Sequence, residues 1–177
     1  MMKIKVLVFF VAALFAVNSQ AVAQDSATIL LEKAQVQAKK EGKKILVKFE
    51  ASWCGWCHRM TKNMKAESTK KIFEDNFVMV PVVVFEPKAK KNLENPGGVD
   101  LIKKYNNGNT KVGLPFWFVL DADLKLVTNS YDSKNQNLGC PASPEEVEEF
   151  IKKLKKHASK FDNADAELIR KQFVLKK

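Results

Sequence analysis

The chain has 177 residues, of which 46% are hydrophobic and 28% charged, a composition that fits one ordinary globular core. Its formal net charge at pH 7 is +10, and 30 of its residues are lysine or arginine. These basic residues are spread along the chain instead of clustering with aromatic residues as on a nucleic-acid surface, so we expect no nucleic-acid partner.

The first 23 residues have the pattern of a secretory signal peptide. Two lysines precede an uninterrupted apolar run at 6–17, and small residues follow it, which favours cleavage after Ala23 or, as the alternative, after Ala21. The run is shorter than the roughly 20 residues that span a bilayer, so we expect no stable membrane insertion once the peptide is removed. A buried N-terminal helix is disfavoured, because no polar residue interrupts the run.

Cleavage would leave a single mature domain at 24–177, located in the periplasm or secreted. It removes two lysines and no acidic residue, so the net charge falls from +10 to +8. All three cysteines lie in this mature part, and export would place them where disulfides persist. Their odd number leaves one thiol unpaired.

The mature domain begins with a predicted helix and a predicted strand. Apolar residues recur at steps of three and four from 26 to 40, and Gly42 ends that helix. Residues 45–51 then alternate, with Val47 and Phe49 on one face of a strand and two charged residues on the other.

A Cys-Gly-Trp-Cys-His motif follows this strand directly. It begins at Cys54, and from Cys57 to about Lys65 the pattern is helical, so the cysteine pair lies where a strand passes into a helix. A cysteine at a helix N-terminus is reactive because the helix dipole and free backbone N–H groups stabilise its thiolate. Cys57, one turn later, can attack a mixed disulfide formed on Cys54. The pair is therefore predicted to act as nucleophile and resolving cysteine.

The remaining elements complete an α/β pattern. We predict a helix at 68–75, a strand at 77–85 buried on both faces, a loop at 86–98 and a helix at 99–105. An apolar strand starting at Pro115 is followed by an antiparallel partner at 124–128. A polar, turn-rich region holding Cys140 leads to a helix capped by Ser143, and a last short helix is predicted at 164–175.

From about residue 28 to 157 these features resemble the thioredoxin superfamily, and within it the bacterial exported thiol–disulfide interchange domains. The resemblance rests on the leading helix, the strand ending in Phe-Glu-Ala-Ser-Trp, the motif at 54–57, the Leu-Pro before a later strand, and the capped helix. It implies an α/β fold of one thioredoxin-like domain, with a central mixed β-sheet flanked by helices. It also implies thiol–disulfide oxidoreductase activity on protein disulfide substrates, without an organic cofactor or metal. A membrane-bound thiol carrier is the expected electron donor.

Four residues near the motif are predicted to bind substrate. The resemblance implies that the peptide bond before Pro115 is cis and faces the cysteines, and that the backbone of Leu114 pairs with a substrate polypeptide. Trp53 and Trp56 flank the nucleophile, and we interpret them as an apolar rim for extended substrates. The alternative for Trp53 is a place at the edge of the core.

Two departures from the family pattern bear on the chemistry. Thioredoxins have a buried aspartate six residues before the first cysteine, and here that position is Lys48. Glu50, two residues later on the same strand face, is the other candidate for proton transfer, with a solvated strand residue as its alternative interpretation. The dipeptide between the cysteines lacks the histidine of strong oxidants and isomerases, which favours a reductase or general oxidoreductase.

Two other functions are open for the same motif. Cys-x-x-Cys-His is the c-type haem attachment pattern, in which His58 would be an axial ligand. The strand before the motif and the proline-started strand after it favour the thioredoxin-like interpretation. The second is a non-catalytic binding module, with the cysteines as a structural disulfide or as half of a zinc site completed by His58 and Cys140. Otherwise Cys140 is interpreted as a spare loop thiol, with an intermolecular bridge or a third redox partner as alternatives.

Overall fold

The computed structural model of the protein describes residues 24–175, so the predicted signal peptide lies outside the described residues. Its helices and strands are, in chain order, α1 (Ala27–Glu41), β1 (Lys44–Glu50), α2 (Gly55–Met64), α3 (Glu67–Asn76), β2 (Phe77–Val83), α4 (Gly98–Tyr105), β3 (Phe116–Leu120), β4 (Leu126–Asn129), α5 (Pro144–His157) and α6 (Asn163–Phe173). Every helix and strand predicted for this part of the chain is present. Across the same residues, no helix has the length and apolar character needed to cross a membrane.

A four-stranded mixed sheet forms the centre of the domain, in the order β2-β1-β3-β4. β1 is parallel to β2 and antiparallel to β3, and β3 is antiparallel to β4. β1 and β2 are parallel because α2 and α3 carry the chain from the end of one strand back to the start of the next. The predicted thioredoxin-like class, a central mixed sheet flanked by helices, is confirmed.

Helices cover both faces of this sheet. α1 and α4 contribute to a core on one face, and α2, α3, α5 and α6 contribute to a core on the other. Successive side chains of β3 alternate between them, with Phe116 and Phe118 in the first core and Trp117 and Val119 in the second. All five residues of β3 are therefore buried, which explains its unbroken apolar sequence.

The edge strand β2 differs from its prediction. The sequence predicts a strand at 77–85 buried on both faces, but β2 ends at Val83 and Pro81 is exposed. Within the described residues β2 pairs only with β1, so Pro81, which has no N–H, is tolerated on the edge. The predicted loop that follows contains a short 3-10 helix at Lys88–Leu93.

Local capping signals fix the ends of the flanking helices. Gly42, with φ 67°, ends α1 in the left-handed conformation. At the start of α5 the Ser143 hydroxyl accepts from the Glu146 N–H at 3.2 Å, and the Glu146 carboxylate accepts from the Ser143 N–H at 3.0 Å. This capping box confirms the predicted start of α5.

Candidate active site

Cys54 and Cys57 lie at the junction between β1 and α2 and are joined by a disulfide bond, with their Cα atoms 5.2 Å apart. Cys54 is the N-cap of α2, and its sulfur accepts a hydrogen bond from the Cys57 backbone N–H at 3.1 Å. A helix N-terminus offers unpaired N–H groups and the positive end of the helix dipole. The same position therefore stabilises a thiolate on Cys54 once the bond is reduced.

The two cysteines are buried, whereas the aromatic rings beside them are exposed. Cys54 is 4% exposed and Cys57 is 1% exposed. Trp53 and Trp56 beside them are 58% and 50% exposed. Trp53 is thus not a core-edge residue, and the two rings form an apolar surface next to the disulfide.

The loop before β3 lies against the cysteine pair. Leu114 packs against the cluster formed by Ala51, Cys54 and Cys57, and the Leu114–Pro115 peptide bond is cis, as the resemblance implies. The Asn137 side-chain amide donates to the Gly113 carbonyl at 2.9 Å and to the Pro115 carbonyl at 3.1 Å. These two hydrogen bonds fix the loop in place beside the disulfide.

The two candidate proton-transfer residues form an ion pair with each other. The Lys48 ammonium group donates to the Glu50 carboxylate and, at 2.6 Å, to the Thr61 hydroxyl. Thr61 lies one turn beyond Cys57 on α2, so the ion pair is next to the helix that carries the cysteines. The Lys48 side chain is 5% exposed and that of Glu50 is 26% exposed. A buried cation therefore occupies the position at which thioredoxins have a buried acid. Its partner Glu50 is the member of the pair that contacts solvent.

Glu86 is a buried residue near the cysteines that the sequence does not reveal. Its two carboxylate oxygens accept the backbone N–H and the hydroxyl of Ser52, the latter at 2.8 Å. Ser52 is two residues before Cys54. Because Glu86 opens a stretch rich in charged residues, proline and glycine, the local pattern predicts exposure and gives no signal of its burial.

Cys140 is the unpaired thiol that the odd cysteine count predicts, but it is buried. Burial raises its pKa to about 11, against opposing influences from Arg59 and Lys48. A neutral thiol inside the core is a poor nucleophile, which disfavours an intermolecular bridge or a third redox partner at neutral pH.

The other interpretations of the motif fit the structure less well. His58 Nε2 is hydrogen-bonded to the Ser52 carbonyl at 3.0 Å, and the two motif sulfurs are bonded to each other. Among residues 24–175, no three histidine, cysteine or acidic side chains are grouped as metal ligands, so the zinc site with Cys140 is not formed. A thioredoxin-like fold surrounds the motif, so the haem alternative is not favoured.

Comparison with known proteins gives a family match and several structural relatives. The profile of a family described as thioredoxin-like matches residues 26–122, more than half of the chain. None of the curated proteins matches the chain. The family match runs from the N-cap of α1 to just past the end of β3, and so includes the cysteine motif and Pro115.

Among solved structures, the disulphide isomerase of Xylella fastidiosa Temecula1 is 22% identical, with a TM-score of 0.48 over 58% of this chain and 72% of that one. A thioredoxin from Thermus thermophilus is 20% identical, with a TM-score of 0.45 over 77% and 86%. The oxidised C-terminal domain of DsbD from Neisseria meningitidis is 22% identical, with a TM-score of 0.42 over 60% and 84%.

Proposed function

This chain belongs to the thioredoxin-like family, and from that premise we propose that it is an exported thiol–disulfide oxidoreductase that reduces or exchanges disulfides in protein substrates. The observation that carries the proposal is the position of Cys54, whose sulfur caps α2 and is bonded to Cys57. A sulfur at a helix N-terminus ionises readily, and the second sulfur is close enough to bond with it. Thiol–disulfide exchange needs both.

In the reductive direction, the Cys54 thiolate attacks one sulfur of a substrate disulfide. The substrate S–S bond breaks, a mixed disulfide forms on Cys54, and the other substrate sulfur leaves as a thiolate that takes a proton from solvent. Cys57 then loses its proton and attacks the Cys54 sulfur, which releases the second substrate thiol. The substrate has gained two electrons, and the protein has lost two in forming the Cys54–Cys57 disulfide.

We assign substrate binding to the surface around Cys54. The exposed rings of Trp53 and Trp56 offer large contact areas for the apolar side chains of an extended segment. Leu114 lies against the cysteines, where its backbone would pair with that segment beside Pro115. Two exposed rings beside the cysteines favour a polypeptide over a small disulfide as the substrate.

We assign proton transfer at Cys57 to the Lys48–Glu50 ion pair. Cys57 is 1% exposed, so a protein group is needed to exchange its proton with solvent. Glu50 is the partly exposed member of the pair, and Lys48 anchors it next to Thr61, one turn from Cys57. Glu50 is therefore the proposed proton acceptor, and Lys48 is the residue that positions it.

The assignment to an exported protein rests on residues 1–23, which have the pattern of a signal peptide. The proposed thioredoxin-like domain is then 24–177, in the periplasm or outside the cell. Each reductive turnover leaves the cysteine pair oxidised. An exported protein of this kind needs an electron donor at the membrane, and a membrane-bound thiol carrier is the proposed one.

Reduction of insulin disulfides by the mature protein, with dithiothreitol as the electron source, tests the proposal. We expect Cys54→Ser and Cys57→Ser to abolish catalysis, because each removes one sulfur of the couple. Cys140→Ala is the matched control and is expected to retain activity, because that thiol is buried and unpaired. Unchanged insulin reduction by Cys54→Ser would exclude the proposed mechanism.

A further inference from the structure

A β-turn leads directly into Cys54. The Cys54 N–H donates to the Ala51 carbonyl at 3.0 Å, so Ser52 and Trp53 are the two central residues of this turn. It is the last stretch of backbone before the nucleophile. The geometry of the turn therefore determines where the Cys54 sulfur lies relative to α2.

Both central residues are hydrogen-bonded to the segment that follows β2. Ser52 donates its N–H to one oxygen of the Glu86 carboxylate and its hydroxyl to the other oxygen, at 2.8 Å. The Trp53 indole N–H donates to the Phe85 carbonyl at 3.0 Å. Phe85 has a φ of 57°, in the left-handed region that bulky residues rarely adopt. The backbone thus accepts an unfavourable conformation where it contacts the turn.

The Glu86 side of this contact is itself fixed in place. The Val84 N–H donates to the Glu50 carbonyl at 2.9 Å, which continues the pairing of β1 and β2 past Val83. The Glu86 N–H donates to the Glu94 carboxylate at 2.7 Å, and Glu94 is paired with Lys91. Because Glu86 is anchored independently of the turn, it restrains the turn instead of following it.

No cation forms an ion pair with the Glu86 carboxylate in the described part of the chain. Glu86 is 3% exposed, and within residues 24–175 it forms no salt bridge. Among these residues its carboxylate oxygens accept only the two hydrogen bonds from Ser52. The carboxylate is hydrogen-bonded to Ser52, two residues before Cys54, and a negative charge at this position disfavours a second negative charge on Cys54. Reduction of the disulfide creates such a charge on Cys54, so Glu86 favours the oxidised couple.

We propose that Glu86 is a positioning residue of the Cys54–Cys57 couple, whose buried carboxylate fixes the turn before Cys54 and makes the couple a stronger reductant. This inference rests on the proposed function, since it requires the two cysteines to be a working redox couple. It deepens that function by naming the residue that holds the nucleophile in place and biases the direction of electron flow.

Equilibration of the mature protein with glutathione tests the inference. Two glutathione molecules reduce the Cys54–Cys57 disulfide and leave as one glutathione disulfide, and the oxidised fraction is measured by mass spectrometry after acid quenching and alkylation. Glu86→Gln removes the charge and keeps the side-chain shape, so we expect the equilibrium to move about tenfold towards the dithiol, or about 30 mV. Glu86→Asp keeps the charge and is expected to move it by less than threefold.

The matched control for Glu86→Gln is Glu32→Gln, the same change on the exposed face of α1, which is expected to leave the equilibrium unchanged. If Glu86→Gln does not fold, Ser52→Ala tests the role of Glu86 independently by the same measurement. It keeps the carboxylate but removes one of its two donors, so we expect a severalfold shift in the opposite direction, towards the disulfide. If Glu86 served only in folding, Glu86→Gln and Ser52→Ala would shift the equilibrium with glutathione in the same direction.

The outcomes separate this inference from the proposed function. A Glu86→Gln equilibrium within twofold of wild type, or a Ser52→Ala shift towards the dithiol, overturns the role of Glu86 while the couple itself stands. If the wild-type cysteine pair does not titrate with glutathione at all, the proposed function fails, and the role of Glu86 fails with it.

Discussion

At the scale of single residues, the Lys48–Glu50 ion pair is a clear departure from the thioredoxin pattern. Removing one partner of a buried pair leaves the other charge uncompensated, and the cost rises with the burial of the charge that remains. Lys48 is the more buried partner. We therefore expect Glu50→Gln to lower the free energy of unfolding by about 2–4 kcal/mol and Lys48→Met by about 1–2 kcal/mol. Urea denaturation measures both, and a larger loss for Lys48→Met would contradict the burial argument.

The same two variants test the assignment of proton transfer. Glu50→Gln cannot accept the Cys57 proton, so we expect resolution of the mixed disulfide to slow about 10²-fold while the first attack by Cys54 is unchanged. Lys48→Met keeps the carboxylate and is expected to slow resolution much less. Stopped-flow measurement of the two steps separates them. Resolution at the wild-type rate in Glu50→Gln would remove this residue from the mechanism.

Cys140 makes the stability of the protein depend on pH in the alkaline range. Burial raises its pKa to about 11 in the folded protein, from an ordinary value of 9.0. Between pH 9 and pH 11 the unfolded chain has lost this proton and the folded chain has kept it. Stability from this group is therefore complete below pH 9 and is lost as the pH rises to 11.

Comparison with Cys140→Ala isolates this contribution. Across the window from pH 9 to pH 11 we expect wild type to lose about 2–3 kcal/mol of unfolding free energy beyond the loss in the variant. Urea denaturation at a series of pH values measures the difference. Equal losses in the two proteins would show that the Cys140 thiol does not remain protonated in the folded state.

The positions of residues were predictable where the local sequence determines them. The spacing of Cys54 and Cys57 after an alternating strand predicted their place at the start of a helix, which the structure confirms. The burial of Lys48 and Glu86 was not predictable, because each depends on a hydrogen-bond partner from a different element. Only the packing of α2 on β1, and of the β2 end beside the Cys54 turn, brings those partners together.

At the scale of elements, α4 begins in direct contact with β2. A Cβ atom on Gly98 would lie 2.6 Å from Cγ1 of Val84 and 3.0 Å from Cγ1 of Val82. Gly98→Ala forces the helix away from the sheet, and we expect it to lower the free energy of unfolding by about 1–3 kcal/mol. Val99→Ala, at the next and partly exposed position, is the control and is expected to change stability by about 0.5 kcal/mol or less. A Gly98→Ala protein as stable as wild type would refute the close contact.

Elements with strong local signals were predicted to within a residue or two. The capping box of α5 fixed its start, and the alternating strand fixed β1. β2 needed correction, because an apolar run does not distinguish a central strand from an edge strand that carries Pro81. The short 3-10 helix at Lys88–Leu93 has no apolar period and was expected as loop.

At the scale of the whole molecule, the resemblance to the thioredoxin superfamily implied a central mixed sheet flanked by helices, which the structure confirms. The strand register, and which helices share a core, depend on long-range packing that no local pattern encodes. The core formed by α2, α3, α5 and α6, for example, contains Trp117 from β3, Phe150 from α5 and Phe173 from α6. These residues are distant in sequence and come together only in the folded chain.

The proposed export of the molecule has a direct test. When the full chain is expressed in a bacterium, we expect a periplasmic product that begins at Gln24, because cleavage follows Ala23. Ala21→Leu combined with Ala23→Leu removes the small residues at both candidate cleavage sites and is expected to leave the precursor uncleaved. Intact-mass measurement and fractionation check both results. A cytoplasmic product that keeps residues 1–23 would contradict export.

The proposed function depends most on Cys54 as the nucleophile and Cys57 as the residue that resolves its mixed disulfide. The direct measurement is to incubate reduced Cys57→Ser protein with a disulfide-bonded polypeptide and to map the resulting adduct by mass spectrometry. We expect a stable mixed disulfide on Cys54, and none in the Cys54→Ser, Cys57→Ser double variant. An adduct on Cys140, or no adduct at all, would contradict the proposed roles of Cys54 and Cys57.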